Sequence, residues 1–218
     1  MEPHPYKRAN GRLPHRRSIR LKGYDYSQPG AYFITICTQN RHHLFGKIVV
    51  GEMKLNDAGK MVESIWNDIA EYYHGIEIDA FQIMPNHIHG IVIITVGAGP
   101  RACPELGQPQ GVDELGQPQG VAPTAAGLSL PDVVHRFKTM TTKRYIDGVK
   151  QKRWIRFDGK LWQRNYWEHI IRNDNEYNRI TQYIRDNPSK WDNDQLNSKS
   201  GNIVMEMQSD YGIEPWMT

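Results

Sequence analysis

The sequence has little cysteine and no long apolar segment. Cys37 and Cys103 are the only cysteines among its 218 residues. Two are too few for a disulfide framework or a cysteine metal site, which favours an intracellular protein. The longest apolar run, residues 91–96, is far too short to span a bilayer. The basic N-terminus has no apolar stretch behind it, so we expect no signal peptide and a cytoplasmic location.

Basic residues are unevenly distributed along the chain, although the formal net charge is only +3. Residues 1–24 hold seven of them against one acid, Glu2, and a second group lies within residues 150–164. Uneven basic charge favours a polyanionic partner, usually nucleic acid, and the competing explanation is simple solubility. The candidate DNA contacts are Arg16, Arg17, Arg20, Lys138, Lys143, Arg153, Arg164 and Trp162.

Apolar periodicity predicts the order strand, helix, strand, strand, helix, strand, helix. The predicted strands cover residues 31–38, 76–84, 87–96 and 161–171. Helices are expected from the Asn56 cap to Gly75, from Ser129 to Gly148, and over residues 174–187. The first six elements match the split βαβ pattern, which predicts an α+β, ferredoxin-like fold with two helices on one face of an antiparallel sheet.

Composition divides the chain into a core region with extensions. We expect a basic arm over residues 1–28, a domain over residues 29–191 and a tail over residues 192–218. Within the domain, residues 97–127 are rich in Gly, Pro, Ala and Gln, and residues 105–112 recur as residues 114–121. Such composition predicts a low-complexity insert that packs no core. The tail shows no functional pattern.

Two histidines flank one apolar residue at the start of a predicted strand. Because successive strand side chains alternate between faces, His87 and His89 point to one face and Ile88 to the other. Two neutral imidazoles on one face can bind one metal ion. A lone His-x-His pattern is common by chance, so the competing explanation is a structural pair. A closed zinc site needs four ligands, whereas Mg²⁺ or Mn²⁺ can share its ligands with phosphate and water.

A tyrosine near the end of the last predicted helix is the candidate nucleophile. Tyr183 and Asn187 are four residues apart and share one helix face, so Asn187 could supply a third metal ligand. The competing explanation is that Tyr183 only packs in the structure and hydrogen-bonds through its hydroxyl, as half-buried tyrosines usually do. Tyr145, Tyr166 and Tyr177 are rival candidates. Together, a same-face histidine pair and a helical tyrosine are typical of single-tyrosine DNA nicking.

Five motifs together resemble those of one known family. They are residues 23–38, Met84-Pro-Asn-His-Ile-His-Gly90, residues 137–143, Trp162-Gln-Arg-Asn-Tyr-Trp-Glu-His169 and Tyr183-Ile-Arg-Asp-Asn-Pro188. The chain resembles the REP-associated tyrosine transposases, single-tyrosine members of the HUH (histidine, hydrophobic, histidine) superfamily, from about residue 16 to residue 191. The insert departs from the family's compact pattern.

The resemblance implies a HUH fold and a metal-dependent single-strand endonuclease with strand-transfer activity. By position, His87 and His89 match the metal ligands, Tyr183 matches the nucleophile that forms a 5′-phosphotyrosine, and Asn187 falls where insertion-sequence relatives carry a glutamine ligand. The implied partner is single-stranded or hairpin DNA from repetitive extragenic palindromes in a bacterial nucleoid. The implied protein is a monomer or homodimer, and the implied cofactor is Mg²⁺ or Mn²⁺.

Two other functions fit the same residues. The domain could bind palindromic DNA or RNA without cleaving it. Alternatively, it could be a metal-dependent phosphodiesterase that uses water as the nucleophile. The second alternative predicts cleavage without a covalent adduct.

Overall fold

The structure is a computed structural model that describes residues 20–100 and 128–197. The predictions for Arg16, Arg17 and the repeat within residues 105–121 lie outside the described residues, as does the tail beyond residue 197. No helix in the described part of the chain is both long enough and apolar enough to cross a membrane.

The observed elements follow the predicted order, with one added hairpin. The strands are β1 (Gly30–Cys37), β2 (Gly46–Val49), β3 (Glu52–Leu55), β4 (Tyr73–Ile83), β5 (His87–Pro100) and β6 (Trp167–Ile171). The helices are α1 (Asp57–Tyr72), α2 (Leu130–Lys152) and α3 (Asp174–Asp186), which continues into a 3₁₀ segment (Asn187–Asn193). The prediction missed β2 and β3, which pair only with each other.

The main sheet is antiparallel and has the strand order β4-β5-β1-β6. This order, with α1 between β1 and β4 and α2 between β5 and β6, is the ferredoxin-like arrangement. The predicted fold class is therefore confirmed. The strand that bears the histidines, β5, lies in the interior of the sheet.

The two faces of the sheet bury different helices. Alternate residues of β1 and β5, such as Ile34 and Ile88, pack against α1 and α2 in the larger core. The opposite residues, such as Phe33 and Ile91, pack against Ile180 and Ile184 of α3. The period of two along each strand thus separates the structural face from the face that carries the histidines.

Side-chain caps define where each helix begins. The Asn56 side chain accepts a hydrogen bond from the Gly59 N–H at the start of α1, and Asn173 does the same for Glu176 in α3. Ser129 and Asp132 form a capping box at the start of α2. These caps are local, which explains why all three starts were predicted within one residue.

Helix ends and strand lengths differ from the prediction. Helix α1 ends at Tyr72, and Gly75 lies inside β4 rather than closing the helix. Helix α2 continues past Gly148 to Lys152 and ends at Arg153, which is in the left-handed conformation. The absence of a side chain at Gly148 leaves room for the Trp154 ring to pack against the helix. Strand β6 begins at Trp167, so residues 161–166 lie outside it. Within these six residues, Trp162 forms an isolated β-bridge with Thr38.

The C-terminal part of the predicted arm packs against the domain. Arg20 pairs with Glu168 of β6 and lies over the Tyr166 ring, 3.6 Å from its centroid. The Tyr26 hydroxyl donates a 2.7 Å hydrogen bond to Glu168, and the Tyr26 ring is buried. Residues 20 and 26 of the predicted arm therefore contact β6.

Candidate active site

His87 and His89 lie on the sheet face that is covered by α3. In the strand register, His89 is paired with Thr35 and His87 with Cys37, while Ile88 points into the opposite core. Both imidazoles are completely buried. The same-face geometry predicted from the His-x-His spacing is present.

The two imidazoles turn their Nε2 atoms toward each other at a distance of 3.0 Å. Burial lowers the pKa of His89 to about 3 and that of His87 well below its ordinary value, so both rings are neutral at physiological pH. Two nitrogens bound at a right angle to one metal, with bonds of about 2.1 Å, are separated by about 3.0 Å. The observed separation therefore fits two adjacent ligands of a divalent cation.

Asn86 fixes the orientation of the His87 ring. Its side-chain Nδ2 donates to the backbone carbonyls of Arg41 (3.2 Å) and Leu196 (2.7 Å). Its Oδ1 must then face the His87 Nδ1, 2.8 Å away, which donates a proton to it. The His87 Nε2 is consequently an acceptor, and in the absence of a metal it accepts a hydrogen bond from the Nε2–H of His89. His89 has a matching partner, because Thr35 Oγ1 lies 2.8 Å from its Nδ1.

Tyr183 lies beside the histidine pair. Its ring centroid is 5.4 Å from that of His89 and 6.1 Å from that of Phe33. Ile180 and Ile184 of the same helix anchor α3 to the sheet, which positions Tyr183 over β5. The structure thus brings together the two histidines and the tyrosine that the sequence singled out.

The rival tyrosines lie elsewhere. Tyr145 and Tyr166 belong to the core on the opposite face of the sheet. Tyr177 lies in the first turn of α3 and donates a hydrogen bond to Asp79 of β4. Burial together with that carboxylate raises the pKa of Tyr177 to about 12. Only Tyr183 has a ring contact with His89 among the described tyrosines.

Two buried side-chain oxygen atoms in the segment that follows Tyr183 lack hydrogen-bond partners within the described residues. One is Asn187 Oδ1, at the end of α3 and one turn after Tyr183. The other is Asp194 Oδ2, which lies 3.8 Å from His87 Nε2. Burial raises the pKa of Asp194 above its ordinary value. Trp191, in the connecting 3₁₀ segment, packs against the His87 ring with a centroid distance of 6.0 Å.

Asp194 was not predicted as a site residue, because it lies in the C-terminal tail, where the sequence shows no functional pattern. An acidic residue in a polar tail carries no local signal, and only the fold of residues 191–197 places it beside His87.

A complete metal cluster of three or more His, Cys, Asp or Glu residues does not occur in the described residues. The side chains present nevertheless fit a divalent cation. Two neutral nitrogens face each other at ligand spacing, and two buried oxygens, Asn187 Oδ1 and Asp194 Oδ2, are without hydrogen-bond donors among the described residues. The oxygen donors suit Mg²⁺ or Mn²⁺, and the two imidazoles favour Mn²⁺ over Mg²⁺.

The predicted DNA contacts are divided between surface and interior. Lys143, Arg153 and Arg164 are exposed. Trp162, one of the candidate DNA contacts, is buried in the core and donates a 2.8 Å hydrogen bond to Thr141, so its ring is not available at the surface. The Lys138 ammonium donates to three backbone carbonyls, of Gln163, Arg164 and Asn165, which occupies its donors inside the protein.

Fold and site together define a class: a ferredoxin-like domain with a buried histidine pair on a central strand and a tyrosine on a C-terminal helix. No family model matches the chain. It is 39% identical over 190 residues to a protein of uncharacterised function from Haemophilus influenzae, covering 86% of this chain and 96% of that protein. The chain belongs to the same family as this protein.

A second Haemophilus influenzae protein carries the provisional name REP-associated tyrosine transposase. It is 25% identical over 166 residues, which cover 76% of this chain and 74% of that protein. A solved structure of a REP-associated tyrosine transposase bound to a REP hairpin is also similar, with a TM-score of 0.46 and 18% identity over 81% of this chain and 74% of that one.

Proposed function

We propose that this protein is a metal-dependent endonuclease that nicks and rejoins single-stranded DNA at hairpins through a tyrosine-linked intermediate. The observation that supports this most directly is the Tyr183 ring 5.4 Å from His89, next to two neutral imidazoles at metal-ligand spacing. A protein that only binds DNA needs neither the histidine pair nor the tyrosine.

In the proposed reaction, Tyr183 attacks the phosphorus of a phosphodiester. The hydroxyl loses its proton to solvent, a bond forms between Oη and phosphorus, and the bond to the 3′ oxygen breaks. That oxygen takes up a proton, which leaves a 5′-phosphotyrosine and a free 3′-hydroxyl. Since the phosphotyrosine keeps the energy of the broken bond, a 3′-hydroxyl can reverse the reaction without a nucleotide cofactor.

His87 and His89 would hold the cation, with Asn187 and Asp194 as oxygen donors. The cation would polarise the phosphate and so assist a nucleophile that is weak because tyrosine has an ordinary pKa near 10. The protein's own contribution is orientation. Asn86 and Thr35 hold the imidazoles, and the packing of α3 on the sheet holds Tyr183.

The proposed substrate is hairpin DNA from repetitive extragenic palindromes. The five sequence motifs support it, as does the relative named a REP-associated tyrosine transposase. Exposed Lys143, Arg153 and Arg164 would bind phosphates, which predicts weaker binding at higher salt.

A denaturing gel tests the proposal. Labelled single-stranded hairpins from DNA on either side of the gene would be incubated with the protein and Mg²⁺ or Mn²⁺. We expect a labelled band at the combined mass of protein and DNA. It should vanish in Tyr183→Phe and persist in the matched control Tyr177→Phe, which alters another tyrosine of the same helix.

Other outcomes identify the alternatives. Cleaved DNA without an adduct in any lane would indicate a phosphodiesterase that uses water. A complex on a native gel without cleavage would indicate a binding protein. An adduct that survives Tyr183→Phe would assign the nucleophile to another residue.

A further inference from the structure

The tip of the β2–β3 hairpin has an unusual residue. Val49 pairs with Glu52, so Val50 and Gly51 form a two-residue turn. Their φ angles are +52° and +72°, which defines the type I′ geometry, where Asn, Asp or Gly is strongly preferred. Val50 is the only β-branched residue with a positive φ in the described part of the chain. A branched Cβ makes this backbone conformation costly.

No burial of the Val50 side chain against the described residues offsets this cost. The Val50 side chain is 97% exposed, the highest value among the large apolar side chains of the described residues, and its neighbour Val49 is 39% exposed. An exposed apolar residue in a strained conformation stabilises neither the turn nor the core. Such a local conflict indicates a function that retains the residue.

The hairpin tip lies beside the segment that bears the candidate active site. A Cβ atom built on Gly51 would be 3.5 Å from the Cα of Ser189, so the turn backbone packs against the chain two residues after Asn187. The Ser189 hydroxyl in turn donates to the Asp186 carbonyl at the end of α3. The turn is thus held against the end of the helix that carries Tyr183.

The surroundings of the tip suit a nucleic acid. Lys47 and Lys54 lie on the hairpin strands, and Lys190 lies on the 3₁₀ segment next to Ser189; all three are exposed. Lys54 and Lys190 also contact acids, Glu52 and Asp186 respectively, at the surface. The charged residue next to the turn is Glu52, and the Lys47–Lys54 pair lies two residue pairs further along the hairpin. An exposed apolar tip on a hairpin that carries lysines resembles the apolar wedges that some proteins insert between nucleic-acid bases.

We propose that Val50 is a DNA-contacting residue that packs against an unpaired base of the strand entering the Tyr183 site. This inference rests on the proposed function and adds a second contact to it, at the junction between paired and single-stranded DNA. By holding a base out of the stack, Val50 would position the adjoining phosphate.

Binding measurements in a Tyr183→Phe background test this contact, because they do not require cleavage. The probe is a hairpin oligonucleotide from the DNA flanking the gene, with single-stranded ends and 2-aminopurine at successive positions beside the stem. We expect binding to raise the 2-aminopurine fluorescence at one position, as that base leaves the stack. Adding Val50→Asn should abolish this rise and weaken binding about tenfold.

The substitution should not weaken the fold. Asn suits the turn, so the thermal midpoint should stay the same or rise by about 2–4 °C. Val50→Gly also relieves the strain, so it should likewise weaken DNA binding without lowering the thermal midpoint. Ile155→Asn is the matched control: it removes a side chain that is 65% exposed near the end of α2, and binding should be unchanged.

Three results would overturn the proposal: unchanged affinity and fluorescence in Val50→Asn, an equal loss in Ile155→Asn, or no binding of any probe by the Tyr183→Phe protein. If the protein with Tyr183 intact forms no adduct but binding still depends on Val50, the nicking proposal fails and the Val50 contact stands.

Discussion

At the scale of single residues, Asn86 decides which nitrogen of His87 is available. It is fully buried and uses both donors and its acceptor within the site. We expect Asn86→Ala to lower the affinity for Mn²⁺ about 10- to 100-fold, the usual cost of losing a hydrogen bond that orients a metal ligand. Isothermal titration calorimetry would measure the affinity, and ¹⁵N NMR of the His87 ring would show the change of tautomer.

Asn56→Ala is the control for this prediction. Asn56 also makes two side-chain hydrogen bonds, one with the Gly59 N–H and one with the Leu44 carbonyl. Neither bond involves a residue of the proposed metal site. Its loss should cost about 1 kcal/mol of stability with unchanged Mn²⁺ affinity. Equal Mn²⁺ affinity in Asn86→Ala and the unmodified protein would refute a positioning role.

The buried histidines also make stability depend on pH. Burial holds the pKa of His89 at about 3, below its ordinary 6.5, so protons bind the unfolded chain more readily than the folded one. The contribution of neutral His89 to the free energy of unfolding is therefore fully present above pH 6.5 and is lost as the pH falls toward 3. For His89 alone, the free energy of unfolding should drop by about 1.4 kcal/mol per pH unit in this window.

Urea denaturation between pH 7 and pH 5, with a chelator present, measures this loss. His89→Asn should reduce the pH dependence, whereas substitution of the exposed His135 by Gln should leave it intact. An unchanged pH dependence in His89→Asn would show that other groups cause the acid sensitivity.

At the scale of elements, one glycine allows α1 to approach β5. A Cβ atom on Gly90 would lie 2.5 Å from the Trp66 ring, which stacks on Phe81 at a centroid distance of 4.6 Å. Gly90→Ala should therefore destabilise the protein by about 1–3 kcal/mol through overpacking. Thermal unfolding would detect this loss.

Gly30→Ala provides the comparison in another strand. A Cβ atom there would meet Tyr32 at 3.7 Å, an ordinary contact, so the melting temperature should hardly change. If the two alanine variants melt alike, the close packing of Trp66 on β5 is not what requires glycine in the histidine motif.

At the scale of the whole molecule, one chain supplies both His89 and Tyr183 in ring contact. We therefore expect that mixing His89→Ala protein with Tyr183→Phe protein restores no covalent adduct, because neither chain has a complete site. The gel assay described above gives the readout, with the unmodified protein diluted to the same concentration as a reference. Restored adduct would mean that α3 is exchanged between two copies.

Much of this architecture is determined by short stretches of sequence. Alternation in β1 and β5, the helical spacing in α1 and α3, and the caps at Asn56 and Ser129 each depend on a few neighbouring residues. That is why the ferredoxin-like order, the same-face histidines and the helix bearing Tyr183 could be predicted. Local backbone geometry alone fixes such features.

Tertiary structure decided the features that depend on distant segments. Asn86 bonds to Arg41 and Leu196, which lie 45 and 110 residues away in sequence, and Asp194 reaches His87 only because residues 191–197 fold over it. Likewise, burial removed Trp162 from the predicted DNA surface, and the turn at Val50 became visible only in its backbone angles. Packing between remote segments sets these contacts, and no local periodicity encodes it.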